Sequence, residues 1–218
     1  MVSHISEHKF KSEAQTGDII LCNGRNSLFS SFVEYFTSSK FSHIGIIIKH
    51  PDFEIEIKDK DPNGLYLLHS TIWGLETDVL THRNQWGVKL VSLDAFFDEY
   101  RSKTFGYGYL YYRKLHLERN LSFKQKTKEL FTEVHQKSYD LSPLDWLKAR
   151  FSLELGDVHR HDQFWCSALV GFFYVEWGLL DKDLAWSLLT PRRFSHYENC
   201  ELSFHSPLDP EKWIDLNK

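Results

Sequence analysis

The sequence predicts a single α+β domain over residues 1–218, in which a mostly antiparallel sheet packs against helices. Runs typical of strands cluster in the first half of the chain, and helical spacings dominate the second half. No stretch rich in Pro, Gly and Ser separates the two halves. The 218 residues are 42% hydrophobic and 16% aromatic, which argues against disorder and provides for a sizeable core.

Short apolar or β-branched runs bounded by turn residues predict the strands. They lie at residues 19–22, 43–48, 65–70 and 88–93, and alternating tyrosines add a further strand over 106–112. The charged residues of 50–64 include Pro and Asn-Gly, so they predict a loop or a hairpin tip.

Apolar residues at intervals of three and four predict the helices. The helices cover residues 26–37, 94–101, 122–137 and 164–177. Ser122 and Gln125 are spaced as a capping box at the start of the third helix. Gly178 follows the fourth helix and is placed as its C-cap.

The charge pattern and the apolar runs limit the classes of partner. The net charge is −4 and no long Lys/Arg block occurs, which argues against a nucleic-acid partner.

The longest apolar run, 164–180, has 17 residues and includes Glu176, so it predicts a buried helix rather than a membrane span. The polar first residues lack a signal-type apolar region. We therefore expect an intracellular protein, cytoplasmic or virion-associated.

The three cysteines, Cys22, Cys166 and Cys200, are odd in number and widely spaced. This pattern suits neither a disulfide framework nor a paired-cysteine zinc site, and it favours a reducing compartment. His159 and His161 lie close together, but their spacing matches no recognised set of metal ligands. We expect no metal and no cofactor.

Cys166 opens the strongly apolar fourth helix. The first turn of a helix presents free N–H groups and a partial positive charge, which favour a thiolate and can hold an oxyanion. The alternative is that Cys166 is a small hydrophobic residue of the core.

Two histidines lie on neighbouring predicted strands. His43 opens one strand and His69 closes the next, so antiparallel pairing makes their rings cross-strand neighbours. A cysteine nucleophile, a histidine base and a second histidine that orients the base form a coherent catalytic set. The alternative is that each histidine is separately a satisfied core or surface residue.

Several segments are similar to one family of enzymes. They resemble the circularly permuted NlpC-type papain-like cysteine hydrolases, which include YiiX-like bacterial proteins, a poxvirus branch and the relatives of lecithin:retinol acyltransferase. The order of His before Cys is the specific part of the resemblance, since ordinary papain-like enzymes place Cys first. The resemblance covers about residues 16–195, through the segments Thr16–Leu21, Phe41–Ile46, Ser138–Asp140, Phe164–Val170, Gly178–Leu180 and Thr190–Pro191.

The resemblance implies a papain-like fold, with an antiparallel sheet or small barrel against helices. It places Cys166 as the nucleophile, His43 as the base and His69 as the third catalytic residue. It implies a thioester intermediate in the hydrolysis or transfer of an acyl group from an amide or an ester. Ala168 departs from the glutamate that is usual two residues after the cysteine.

Four further residues are expected to contact the substrate or the oxyanion. Backbone N–H groups near Ser167, helped by Tyr139, are expected to hold the oxyanion. Trp165 and Gln163 precede the nucleophile and are expected to line the substrate cleft.

The substrate class stays open between a peptide and a lipid acyl group. The aromatic content and the apolar pair Ile72-Trp73 leave peripheral membrane contact open. A lipid-binding or structural virion module on the same fold, with weak or lost catalysis, is the alternative function. The tyrosine stripe at 107–111 fits one packed strand face better than a nucleic-acid stacking platform.

Overall fold

Seven strands form one sheet in the computed structural model, which describes residues 2–23, 40–50, 57, 63–72, 76–102, 108–138, 164–198 and 202–216. The strands are β1 (Ser3–Ser6), β2 (Ile19–Asn23), β3 (Phe41–Lys49), β4 (Leu65–Thr71), β5 (Gly87–Ser92), β6 (Tyr109–Arg113) and β7 (Lys212–Asp215). Their order across the sheet is β1-β7-β6-β2-β3-β4-β5. Only the β1–β7 pair is parallel among the described strand pairs, so the predicted α+β class with a mostly antiparallel sheet is confirmed.

Helices cover both faces of this sheet. They are α1 (Glu7–Glu13), α2 (Leu93–Arg101), α3 (Leu121–Val134) and α4 (Cys166–Glu176), with two short 3₁₀ helices at Trp186–Leu188 and Pro191–Phe194. Alternate side chains of the central strands enter two apolar clusters. Ile44, Ile46 and Ile48 of β3 pack in the cluster that contains α4. Ile47 of β3 and Leu67 of β4 pack in the cluster that contains α1 and α2. Because both faces are covered, the central strands are apolar almost throughout.

Most of the predicted elements are confirmed within a few residues. The central strands and the helices at 94–101, 122–137 and 164–177 are present, and Gly178 has the positive φ of a helix C-cap. The predicted capping box is wrong: the N-cap of α3 is Asn120, whose side chain accepts from the backbone N–H of Phe123 at 3.0 Å. The predicted helix at 26–37 lies outside the described residues.

The two ends of the chain hold elements that the sequence pattern did not predict. The four-residue strands β1 and β7 pair with each other, and α1 follows β1 directly. Each strand is too short to show a clear alternation of apolar residues, and their pairing joins the two ends of the chain. Within the described residues, no helix is both long and apolar enough to cross a membrane.

Candidate active site

Helix α4 carries Cys166 at its first position, with Trp165 as the N-cap. Every residue from Cys166 to Val175 is buried, because α4 packs between the sheet and the 3₁₀ helix at Trp186–Leu188. The side chain of Trp165 makes no cap hydrogen bond to the first turn. The backbone N–H groups of that turn are therefore left to face the thiol or a bound substrate.

Two hydrogen bonds, one of them from the sheet, fix the chain just before Cys166. The Ser70 hydroxyl, on β4, donates to the carbonyl oxygen of Phe164 at 2.5 Å. The backbone N–H of Phe164 donates to the carbonyl of Ser138 at 3.0 Å. These contacts set where α4 begins, and so where the thiol of Cys166 lies.

The sulfur of Cys166 lies against the backbone of β3. Hydrogen bonds from the backbone N–H groups of Ile44 and Ser167 reach it, and the Ile44 N–H belongs to the peptide that follows His43. Among the described residues, the β3–β4 ladder runs from Lys49↔Leu65 to Ile46↔Leu68, although both strands extend further. The thiol therefore approaches β3 beyond the end of this ladder, at the residue next to His43.

Burial controls the protonation of this thiol. Cys166 is 5% exposed, and desolvation raises its pKa to about 11, against the opposing effect of the N–H donors. The N–H groups at the helix N-terminus favour the thiolate, as expected, but the effect of burial on this pKa is larger. If Cys166 acts as a nucleophile, a base must therefore take the thiol proton before or during attack.

The two predicted histidines lie together. Nε2 of His43 and Nδ1 of His69 are 3.0 Å apart, and the rings meet edge to face with centroids 5.1 Å apart. His69 is 1% exposed and also meets the ring of Phe96 on α2 edge to face. A buried imidazole held on two sides has little freedom to rotate. His69 is therefore able to fix the orientation and the tautomer of His43.

Glycine at position 45 allows this pair to form. A Cβ on Gly45 would lie 2.8 Å from Cδ1 of Leu67 and 3.2 Å from Cβ of His69. Close approach of β3 and β4 at this point therefore needs a residue without a side chain.

The imidazoles and the thiol approach the site from opposite faces of the sheet. His69 shares a face with Leu67 and packs against α2, whereas Cys166 belongs to the cluster around α4. The structure thus brings His43 and His69 into direct contact and brings Cys166 to the peptide of Ile44. Cys22 is the register partner of His43 on β2 and is also a buried cysteine outside any disulfide, so it is a second candidate thiol beside Cys166.

The remaining predicted residues divide into two groups. The Ser167 hydroxyl donates to the carbonyl of Leu189 at 2.6 Å, so its backbone N–H is the group left for an oxyanion. Trp165 is buried beside Cys166. Tyr139 and Gln163 lie outside the described residues.

Sequence reasoning missed two buried polar residues near this site. Ser70 anchors the start of α4, and Lys89 of β5 is the register partner of His69. Each has a sequence signal, since Ser70 directly follows His69 and Lys89 interrupts the apolar run Val88–Val91. A polar residue inside an apolar strand is expected to have a buried partner.

Comparisons with known proteins give distant likenesses in structure alone. No protein-family model matches this chain, and no curated protein matches it. The crystal structure of the metalloprotein YiiX (DUF1105) from Escherichia coli O157:H7 is similar with a TM-score of 0.46 and 17% identity, over 92% of this chain and 88% of that chain. This likeness assigns no role to any residue. Among the described residues of this chain, no group of three or more His, Cys, Asp or Glu is placed to hold a metal.

Proposed function

We propose that the protein is a thiol-dependent hydrolase or acyltransferase that cleaves an amide or ester bond through a thioester on Cys166. The observation that carries this proposal is the contact of His43 with His69 next to the Ile44 peptide that holds the Cys166 thiol. A nucleophile, a base and a group that orients the base are the parts that nucleophilic acyl transfer needs.

Attack begins with a neutral thiol. As Sγ of Cys166 bonds to the acyl carbon, its proton passes by way of one water molecule to Nδ1 of His43, since the thiol and the imidazole lie on opposite faces of the sheet and Nε2 of that ring is engaged by His69. The resulting imidazolium donates from Nε2 to Nδ1 of His69. His43 then returns the proton to the leaving amine or alcohol as the C–N or C–O bond breaks. Water or another acceptor, deprotonated by His43, attacks the thioester and releases the thiol.

The first turn of α4 supports the oxyanion in this scheme. The backbone N–H groups of Cys166 and Ser167 point toward the sulfur, close to where the carbonyl oxygen of a bound acyl group would lie. Tyr139, Gln163 and Trp165 complete the proposed substrate contacts. An intracellular location, cytoplasmic or virion-associated, also belongs to the proposal and agrees with Cys22 and Cys166 lying outside any disulfide.

A panel of acyl donors tests the reaction class. The protein is incubated with p-nitrophenyl esters of short and long acyl chains and with peptide p-nitroanilides, and the adduct is mapped by peptide mass spectrometry. We expect an acyl adduct on Cys166 that is absent from Cys166→Ala and retained in Cys22→Ala. The preferred donor assigns the substrate to the peptide or the lipid class.

The same panel tests the alternative function. A lipid-binding or structural module predicts that long-chain esters bind without acylating either thiol. An adduct that maps to Cys22 would contradict the proposed nucleophile.

A further inference from the structure

A cluster of buried charged residues lies next to His69, around the neighbouring strand β5. Lys89 is 0% exposed and faces His69 across the β4–β5 ladder. Its ammonium donates to the backbone carbonyl of Glu76 at 2.9 Å and to the side-chain oxygen of Asn84 at 3.4 Å, and it lies 3.6 Å from a carboxylate oxygen of Glu76. Buried lysines are rare, so a lysine here requires these partners.

A second carboxyl completes the cluster from the helix above. Glu99 of α2 is buried and hydrogen-bonds the carboxyl of Glu76. It lies one helical turn after Phe96, whose ring meets that of His69. The cluster and the histidine pair therefore share one face of the sheet and one covering helix.

The cluster contains two carboxyls and one ammonium. Fully ionised, it has a net charge of −1; with one proton shared between the carboxyls, it is neutral. Burial and the neighbouring Glu99 raise the pKa of Glu76 to about 7, although Lys89 opposes this rise. The net charge of the cluster next to His69 therefore changes in the neutral pH range.

We propose that Glu76, Glu99 and Lys89 are positioning residues whose net charge sets how firmly the His43–His69 pair holds the proton taken from Cys166. This inference rests on the proposed function. A negative cluster stabilises the imidazolium that forms during attack, and a neutral cluster does so less. Among the described residues, the charged groups that face Glu76 are Lys89 from β5 and Glu99 from α2, with His69 of β4 beside them.

The test is an NMR titration of the wild-type protein without substrate. Side-chain carboxyl carbons of glutamate and ring nitrogens of histidine are followed between about pH 5 and 9. We expect the His43 and His69 signals to inflect together with the Glu76 carboxyl. Histidine titrations without that shared inflection would overturn the proposal.

Variants supply the second arm of the test. Glu99→Gln leaves Glu76 and Lys89 as a neutral pair, so we expect it to weaken proton binding at His43 by about threefold or more. Glu129→Gln, on an exposed position of α3, is the matched control and leaves the titration unchanged. An unchanged His43 titration in folded Glu99→Gln would overturn the proposal. If Glu99→Gln does not fold, the wild-type titration alone tests the proposal. Because neither arm uses substrate, failure here is separate from failure of the acyl-transfer chemistry.

Discussion

Nε2 of His43 lies 3.0 Å from Nδ1 of His69, and this contact determines how the two imidazoles can divide their work. In the proposed reaction, a ring whose Nε2 is engaged takes the proton of the thiol through Nδ1. The imidazolium that results needs an acceptor at Nε2, so His69 must keep Nδ1 unprotonated. In the proposed reaction, this contact makes His43 the base and gives His69 the orienting role.

Two substitutions of His69 distinguish its hydrogen bond to His43 from its packing in the core. In His69→Leu the acceptor is lost, and we expect acylation of Cys166 to slow by about 10- to 1,000-fold. In His69→Gln an amide oxygen can accept from His43, so a smaller loss is expected. Rates measured with a p-nitrophenyl ester, beside thermal unfolding of both variants, check this. Equal losses in two folded variants would argue against an orienting role.

The pKa of the Cys166 thiol makes its alkylation strongly dependent on pH. Burial raises this pKa to about 11, so only about one thiol in ten thousand is ionised at pH 7. Raising the pH increases the thiolate fraction, and iodoacetamide labelling is expected to rise about tenfold per pH unit between pH 7 and 10. Peptide mass spectrometry follows the rate, and the denatured protein serves as the control with a midpoint near 8.5. A plateau below pH 9 in the native protein would contradict the predicted shift.

Ser70 is expected to stabilise the start of α4. Ser70→Ala leaves the buried carbonyl of Phe164 without this hydroxyl donor, which costs about 1–3 kcal/mol in the free energy of unfolding. Ser12→Ala is the matched control, since its hydroxyl donates to the Lys9 carbonyl at an exposed position. Urea denaturation of both variants measures the difference. Equal stabilities would mean that the Ser70 bond does not anchor the helix.

Gly45→Ala tests the close approach of β3 and β4. The added methyl group would overlap the side chain of Leu67 and crowd His69, so we expect a destabilisation of about 1–3 kcal/mol. The displaced His69 would also change the ring signals of His43 in NMR spectra. Wild-type stability with unchanged histidine signals would show that the strands accommodate the methyl group.

Local sequence patterns predict the strands and the helix that carry the site. Alternation places His43 and His69 on one face because β3 and β4 are consecutive and antiparallel, and the apolar run after Cys166 shows a buried helix. The same alternation of apolar residues also specifies the register of β3 and β4. A slip of one residue would turn His69 to the opposite face of the sheet.

Local sequence patterns do not predict contacts between segments that are distant in the chain. The bond from Ser70 to Phe164 joins residues 94 positions apart, and the approach of the thiol to Ile44 depends on where the β3–β4 ladder ends. The helix N-terminus indicates donors that favour a thiolate, but the larger effect of burial, which raises the pKa, arises from tertiary packing. Lys89 shows as a charge within an apolar strand, while its carboxylate partners come from other segments.

The most direct test of the account is the rate at which a p-nitrophenyl ester acylates Cys166 in wild type and in His43→Ala. The account predicts a loss of about 10²- to 10⁴-fold, because a neutral buried thiol needs the imidazole to take its proton. Intact-mass kinetics near neutral pH give both rates, and Cys22→Ala shows the wild-type rate. An unchanged rate in folded His43→Ala would contradict the central role assigned to this histidine.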